Sequence, residues 1–182
     1  MTNRVDANYN SDRKTWQVPG NDAGPSTNYL TSPEITITQN CDIEILLNHR
    51  YSIEPLWDGA AIEYSINGGE FQRLEKEDFF DNGYNFEIIQ GQHALQNKSA
   101  FSAISDGYGN NEFITSSARI NDLSENSKLI IRLIAAWDNQ TKSENSYFGR
   151  DEYFNSVIVK SDYELIGKIK NVIASKVVKG HK

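Results

Sequence analysis

Residues 42–74 read DIEILLNHRYSIEPLWDGAAIEYSINGGEFQRL and leave the chain few folds to choose from. Ile43, Ile45, Leu47, His49, Tyr51 and Ile53 fall on one face of an extended segment, and Ile62, Tyr64 and Ile66 on one face of the next. A loop at residues 54–59 separates the two. A period of two bounded by turn residues specifies strands, not helices. Asn67-Gly68 offers the positive φ angles of a tight hairpin turn, so a third strand is expected from about Glu70.

Further strands are predicted on both sides of this stretch. Residues 34–38 place Ile35 and Ile37 inward, with Pro33 at the entry, where a missing N–H costs little. Residues 84–89 and, weakly, 117–120 read as strands. Residues 128–137, KLIIRLIAAW, are apolar on both faces except at Arg132, which predicts a central strand covered on both sides. Residues 152–160 supply the last strand. The acidic stretch 75–83 and the polar stretch 138–151 read as loops. Residues 91–117 are long and poor in aliphatics, so they carry function or conceal short strands. The chain is only 38% apolar yet 11% aromatic, with a mean hydropathy of −0.59. That balance suits sheets that each show one face to water. The expected fold is all-β: an antiparallel two-sheet β-sandwich over residues 29–160.

Both ends differ from this body. Residues 1–28 form a polar N-terminal arm whose large anchors are Tyr9, Trp16 and Val18. It is expected to lie on the domain through Trp16, or else to reach a neighbouring subunit. In residues 161–182, Leu165, Ile166, Ile169, Val172, Ile173 and Val177 recur at helical spacing. Ser161 and Glu164 match a capping box. This tail holds five Lys and two acids, so it carries +3 while the rest carries −10. An amphipathic helix that docks on its own domain or on a partner subunit is expected, which points to an oligomer.

Several function classes are disfavoured. A net charge of −7 argues against nucleic-acid partners and anionic membrane surfaces. The lone Cys41 allows no intrachain disulfide, and no Cys/His cluster suggests zinc. Cys41 is expected to pack at a strand edge as a small hydrophobe. No run approaches the roughly 20 apolar residues that span a bilayer. Residues 1–10 are polar and read as no signal peptide, so the chain is expected to fold in a cytoplasm or to be a piece of a secreted parent. His49, His93 and His181 are the only histidines, and no HExxH, GxSxG or P-loop motif occurs. The chain is therefore expected to be no enzyme. The acids Glu75 and Glu77 and the triplets at Asn97 and Asn139 are what an acidic, Asn-rich chain produces by chance.

The order of these pieces resembles the MAM-like, jelly-roll β-sandwich modules attached to secreted bacterial metallopeptidases of the immune-inhibitor A type and to other surface proteins. The likeness covers about residues 29–159. LTSPEITI (30–37) is similar to the opening strand of that family. HRYSIEPLWDGAAIEYSINGGEF (49–71) is similar to its most distinctive segment, and NGYN, AFSAISDG and IIRLIAAWD follow in order. The last element departs: where the family has GWxxDDI, this chain has DEYFNSVI, with Glu152 at the Trp position and Asn155 and Ser156 at the acids. The resemblance implies a structural Ca²⁺, for which Asp58, Asp138, Asp151 and Asn155 are the candidates by position. The alternative is that they are ordinary turn residues.

Trp57, Tyr108, Trp137 and Tyr147 fall at loop edges. Flat rings beside Asp and Asn suit the stacking of sugars. Alternatively, Trp57 and Trp137 cap the core. Two functional classes remain. One is a virion (phage) structural or decoration protein, made in the host cytoplasm and displayed on the virion surface, with protein or glycan contacts. The other is a carbohydrate- or protein-binding adhesion module cut from a larger extracellular protein. The first accounts for more of the sequence, because release by lysis needs no signal peptide and flanking arms serve assembly.

Overall fold

A computed structural model describes residues 8–10, 15–19, 25–140, 146–150 and 157–160. The strands in chain order are β1 (Asn8–Asn10), β2 (Thr15–Pro19), β3 (Ser26–Thr31), β4 (Ile35–Thr36), β5 (Cys41–Ser52), β6 (Gly59–Ile66) and β7 (Gln72–Arg73). They continue with β8 (Phe79–Asp81), β9 (Phe86–Ile88), β10 (Lys98–Ala100), β11 (Ile114–Leu123), β12 (Lys128–Trp137), β13 (Ser146–Arg150) and β14 (Val157–Lys160). One sheet runs β1-β2-β13-β5-β11-β8, with β14 also on β5. The second runs β3-β12-β6-β7, with β4 also on β12, and β9 and β10 form a separate hairpin. The pairings are antiparallel. The architecture is thus the expected antiparallel, sandwich-like all-β one. The predicted C-terminal helix (161–182) lies outside the described residues, as do Asp151 and Asn155.

β5 is the centre of the larger sheet, and its inner residues Ile43, Ile45, Leu47, His49 and Tyr51 are all buried. A slip of one residue against β11 would turn this whole set to the outside, so the pairing of Ile43 with Ile120 and of Leu47 with Ser116 is strongly specified. These residues share one core with Ile62 of β6 and Leu129, Ile131 and Leu133 of β12. The hairpin turn after β6 forms as predicted, with φ of 54° at Asn67 and 72° at Gly68. The strand that follows is short, only Gln72–Arg73.

Phe101 sits at the middle of the core. Its ring centroid lies 4.5 Å from that of His49, 4.8 Å from Tyr84 and 5.7 Å from Phe79. The Tyr84 hydroxyl accepts the Ile62 N–H at 2.9 Å. Burial holds the Tyr84 phenol above its ordinary range and pushes that of Tyr51 up to about 12. His49 faces inward as expected, fully buried, with Nε2 2.8 Å from Ser116 Oγ. Because Ser116 Oγ donates to the Asn82 carbonyl, Nε2 of His49 is the protonated nitrogen.

Three local expectations change. β11 is a full ten-residue strand, not the short one predicted at 117–120. Its inner positions Ser116 and Ala118 are small beside Leu47 and Ile45, so they give little apolar signal. The loops predicted at 75–83 and 138–151 contain β8 and β13, whereas the stretch 91–117 does conceal the short strand β10, one of the two readings given for it. β12 is central but only half covered. Ile134, Ala135, Ala136 and Trp137 are buried, whereas Ile130 and Arg132 are partly open to water. Arg132 bonds Glu63 at 2.7 Å, with its guanidinium 4.3 Å from the Tyr29 ring centre and 3.6 Å from that of Phe71.

At the chain's start, β1 and β2 extend the larger sheet through β13, and Trp16 and Val18 are buried. Cys41 opens β5, half buried against the core, and burial raises its thiol pKa.

Candidate functional site

The loop between β5 and β6 makes a tight turn. The Asp58 N–H donates to the Glu54 carbonyl at 3.1 Å, and Leu56 takes a positive φ of 72°. The turn leaves the Leu56 and Trp57 carbonyls pointing at the segment after β9. Ile89 and Gln90 donate their N–H groups to Leu56 O at 3.0 and 3.2 Å. His93 Nε2 lies 2.7 Å from Trp57 O. Gly91, at φ +111°, fits between them, because a Cβ there would collide with the Trp57 carbonyl and the His93 ring. At the base, a Cβ on Gly59 would lie 2.9 Å from Ala100 Cβ, so glycine lets the β9–β10 hairpin approach β6.

The joined loops form a cleft of about 130 Å³. Its walls include Trp57, Gln90, Gln92, Gln96, Asp138 and Asn139. Trp57 is 37% exposed. The lining residues therefore include one aromatic, four amide-bearing and one acidic side chain. An amide offers both donors and acceptors, and that of Gln96 also accepts the Gln92 N–H at 3.2 Å. Burial lowers the His93 pKa, against the opposing pull of its bond to Trp57 O and of the Asp138 charge.

Asp138 belongs also to an acidic cluster. Glu54, Asp58 and Asp138 each bring a carboxylate oxygen within 4.8 Å of the others. Asp58 and Asp138 are buried. Asp58 Oδ1 accepts the Asp138 N–H at 2.6 Å, and Asp138 Oδ1 accepts the Gln140 N–H at 2.7 Å. Ser102 Oγ donates to the Asp58 carbonyl at 2.7 Å. Three hard oxygen donors so close together form a set that could hold a metal ion.

Two of the four predicted metal candidates, Asp58 and Asp138, are thus neighbours, joined by Glu54, which the sequence did not single out. The four aromatic candidates part company. Trp57 walls the cleft. Trp137 is fully buried and takes the core-capping role. Tyr108 stands in the 3-10 turn Tyr108–Asn110, its ring 4.9 Å from the Arg50 guanidinium, and does not line the cleft. Tyr147 lies in β13, its backbone paired with Tyr51 and Val18 inside the larger sheet. Glu75 pairs with Arg73 at 2.8 Å. The residues missed at the sequence level, Gln90, Gln92, His93 and Gln96, all lie in the run QGQHALQ of the long stretch after residue 91 and just before it.

Among the described residues, no helix is long and apolar enough to cross a membrane. Comparison with protein-family models, with curated proteins and with solved structures finds no match to this chain.

Proposed function

We propose that this chain is a non-catalytic recognition protein that binds a glycan in the Trp57 cleft. The observation that carries the reading is the half-exposed Trp57 indole standing against Gln90, Gln92, Gln96 and Asn139. A flat apolar ring takes the C–H face of a sugar, and amides satisfy its hydroxyls in both directions. The two described histidines fit that reading. His49 is sealed in the core, and both ring nitrogens of His93 are engaged in holding the loop.

The finer fold in this proposal is a MAM-like jelly roll, and the setting is a displayed surface. The virion surface is favoured, with contacts to other subunits through the chain ends; an excised extracellular adhesion module is the other setting. Fold alone does not choose between them. The acidic cluster adds a structural role for calcium, with Glu54, Asp58 and Asp138 as ligands. Calcium takes six to eight hard oxygen ligands, so carbonyls or water would complete the shell. Neutralising three crowded carboxylates would fix the loop that carries Trp57.

The test is a glycan panel probed with the full chain and with Trp57→Ala. Binding by the first and not the second, at an unchanged melting temperature, is the expected result. A panel on which neither chain binds would remove the reading.

A further inference from the structure

We infer that the cleft admits a single uncharged sugar ring and discriminates against anionic glycans. This rests on the glycan reading above and names the ligand class within it. Two observations carry it, the charge of the walls and their size.

Among the described residues no lysine or arginine lines the cleft, and the acid Asp138 is one of its lining residues. Glu54, Asp58 and Asp138 each bring a carboxylate oxygen within 4.8 Å of the others. A sialic or uronic acid would bring a further negative charge toward this group. Like charges at short range oppose one another, and a carboxylate that gives up its water without a cation or donor array is penalised further. Calcium on the cluster does not reverse the argument, because three carboxylates and one divalent cation still sum to a negative charge. The amides of Gln90, Gln92, Gln96 and Asn139 suit the opposite kind of ligand. A hydroxyl donates and accepts at once, as does a primary amide, so neutral polyols are matched without a net charge on either side.

The volume sets the length. Sites for drug-sized ligands enclose roughly 300–1,000 Å³, whereas this cleft is about 130 Å³. It is the size of one ring, and further sugars of a chain would lie in solvent. The site therefore reads a terminal or protruding residue.

The experiment titrates the full chain, in calcium and in EGTA, with methyl glycosides of glucose, galactose, mannose and N-acetylglucosamine. It compares them with N-acetylneuraminic acid, with glucuronic acid and with a linear neutral tetrasaccharide. Binding is read by ligand-observed NMR and tryptophan fluorescence. At least one neutral glycoside should bind in a Trp57-dependent manner, and both acids at least roughly tenfold more weakly. The tetrasaccharide should gain less than about tenfold over its terminal residue. Gln90→Arg, at an exposed wall position, should narrow the gap between acid and neutral sugars. Acids that bind as tightly as neutral sugars through Trp57 would overturn this inference and leave the glycan reading standing. A tetrasaccharide that binds far more tightly would overturn the single-ring part. Binding of no sugar, or binding that Trp57→Ala leaves untouched, would overturn both readings together.

Discussion

His93 holds Trp57 by its backbone. Nδ1 of His93 accepts the Leu95 N–H at 3.1 Å, which places the ring proton on Nε2, and Nε2 donates it to the Trp57 carbonyl at 2.7 Å. The imidazole thus fixes the backbone that carries the indole. His93→Ala should weaken sugar binding by roughly tenfold while costing about 1 kcal/mol of stability. His93 is kept neutral by burial, below the ordinary histidine range. Its contribution to stability is therefore complete above the unfolded-state value and declines as the pH falls from there toward the lowered folded-state value, below which Nδ1 gains a proton and can no longer accept from Leu95. Isothermal titration across acid pH checks both; an affinity identical in His93→Ala would remove the positioning role.

The second histidine predicts a pH dependence of stability. Burial lowers the His49 pKa from its ordinary 6.5 to about 3. The unfolded chain then binds one more proton than the folded chain between those values. Stability from this group is complete above about pH 6.5 and declines as the pH falls toward 3, by on the order of 5 kcal/mol in all. Urea unfolding at a series of pH values should show the decline. His49→Leu should show a shallower one across the same window, since the carboxylates remain. Parallel curves for the two proteins would contradict the assignment.

The two tryptophans flanking the acidic cluster should separate cleanly. Trp137→Ala removes a fully buried ring and should cost about 3–5 kcal/mol. Trp57→Ala removes a half-exposed one and should cost less than about 1 kcal/mol. Thermal melts of both variants, beside a sugar titration of the second, test the division between core and cleft.

Calcium should raise the melting temperature relative to EGTA. A cation at about one hundred times its Kd adds about 2.7 kcal/mol to the folded state. Asp58→Asn keeps an acceptor for the Asp138 N–H and should abolish the response with little change in EGTA. Superimposable melts of the native chain in the two buffers would dispose of the cation.

The sequence reveals some of these features and hides others for physical reasons. β5 and β6 are legible because Ile and Leu alternate with polar residues on strands that show one face to the core. β11 is not, because its inner positions Ser116 and Ala118, beside Leu47 and Ile45, are small and carry little hydropathy signal. Trp57 and Trp137 look alike as loop-edge aromatics, yet one ends the inner face of a central strand and the other rides a turn. The acidic cluster was half visible. Asp58 and Asp138 lie eighty residues apart, and only the pairing of Gly59 with Ala136 brings their segments side by side. The glutamine wall was hidden altogether, since amides in a loop follow no period.

Arg132, with its guanidinium over the rings of Tyr29 and Phe71, has a further consequence for how this sheet meets water. Ile130 and Phe71 are partly open to water and Tyr29 is exposed, so without the Arg132–Glu63 pair this side of the smaller sheet would be more apolar. One charged group set over two rings lets water wet that flank, which disfavours self-association through it.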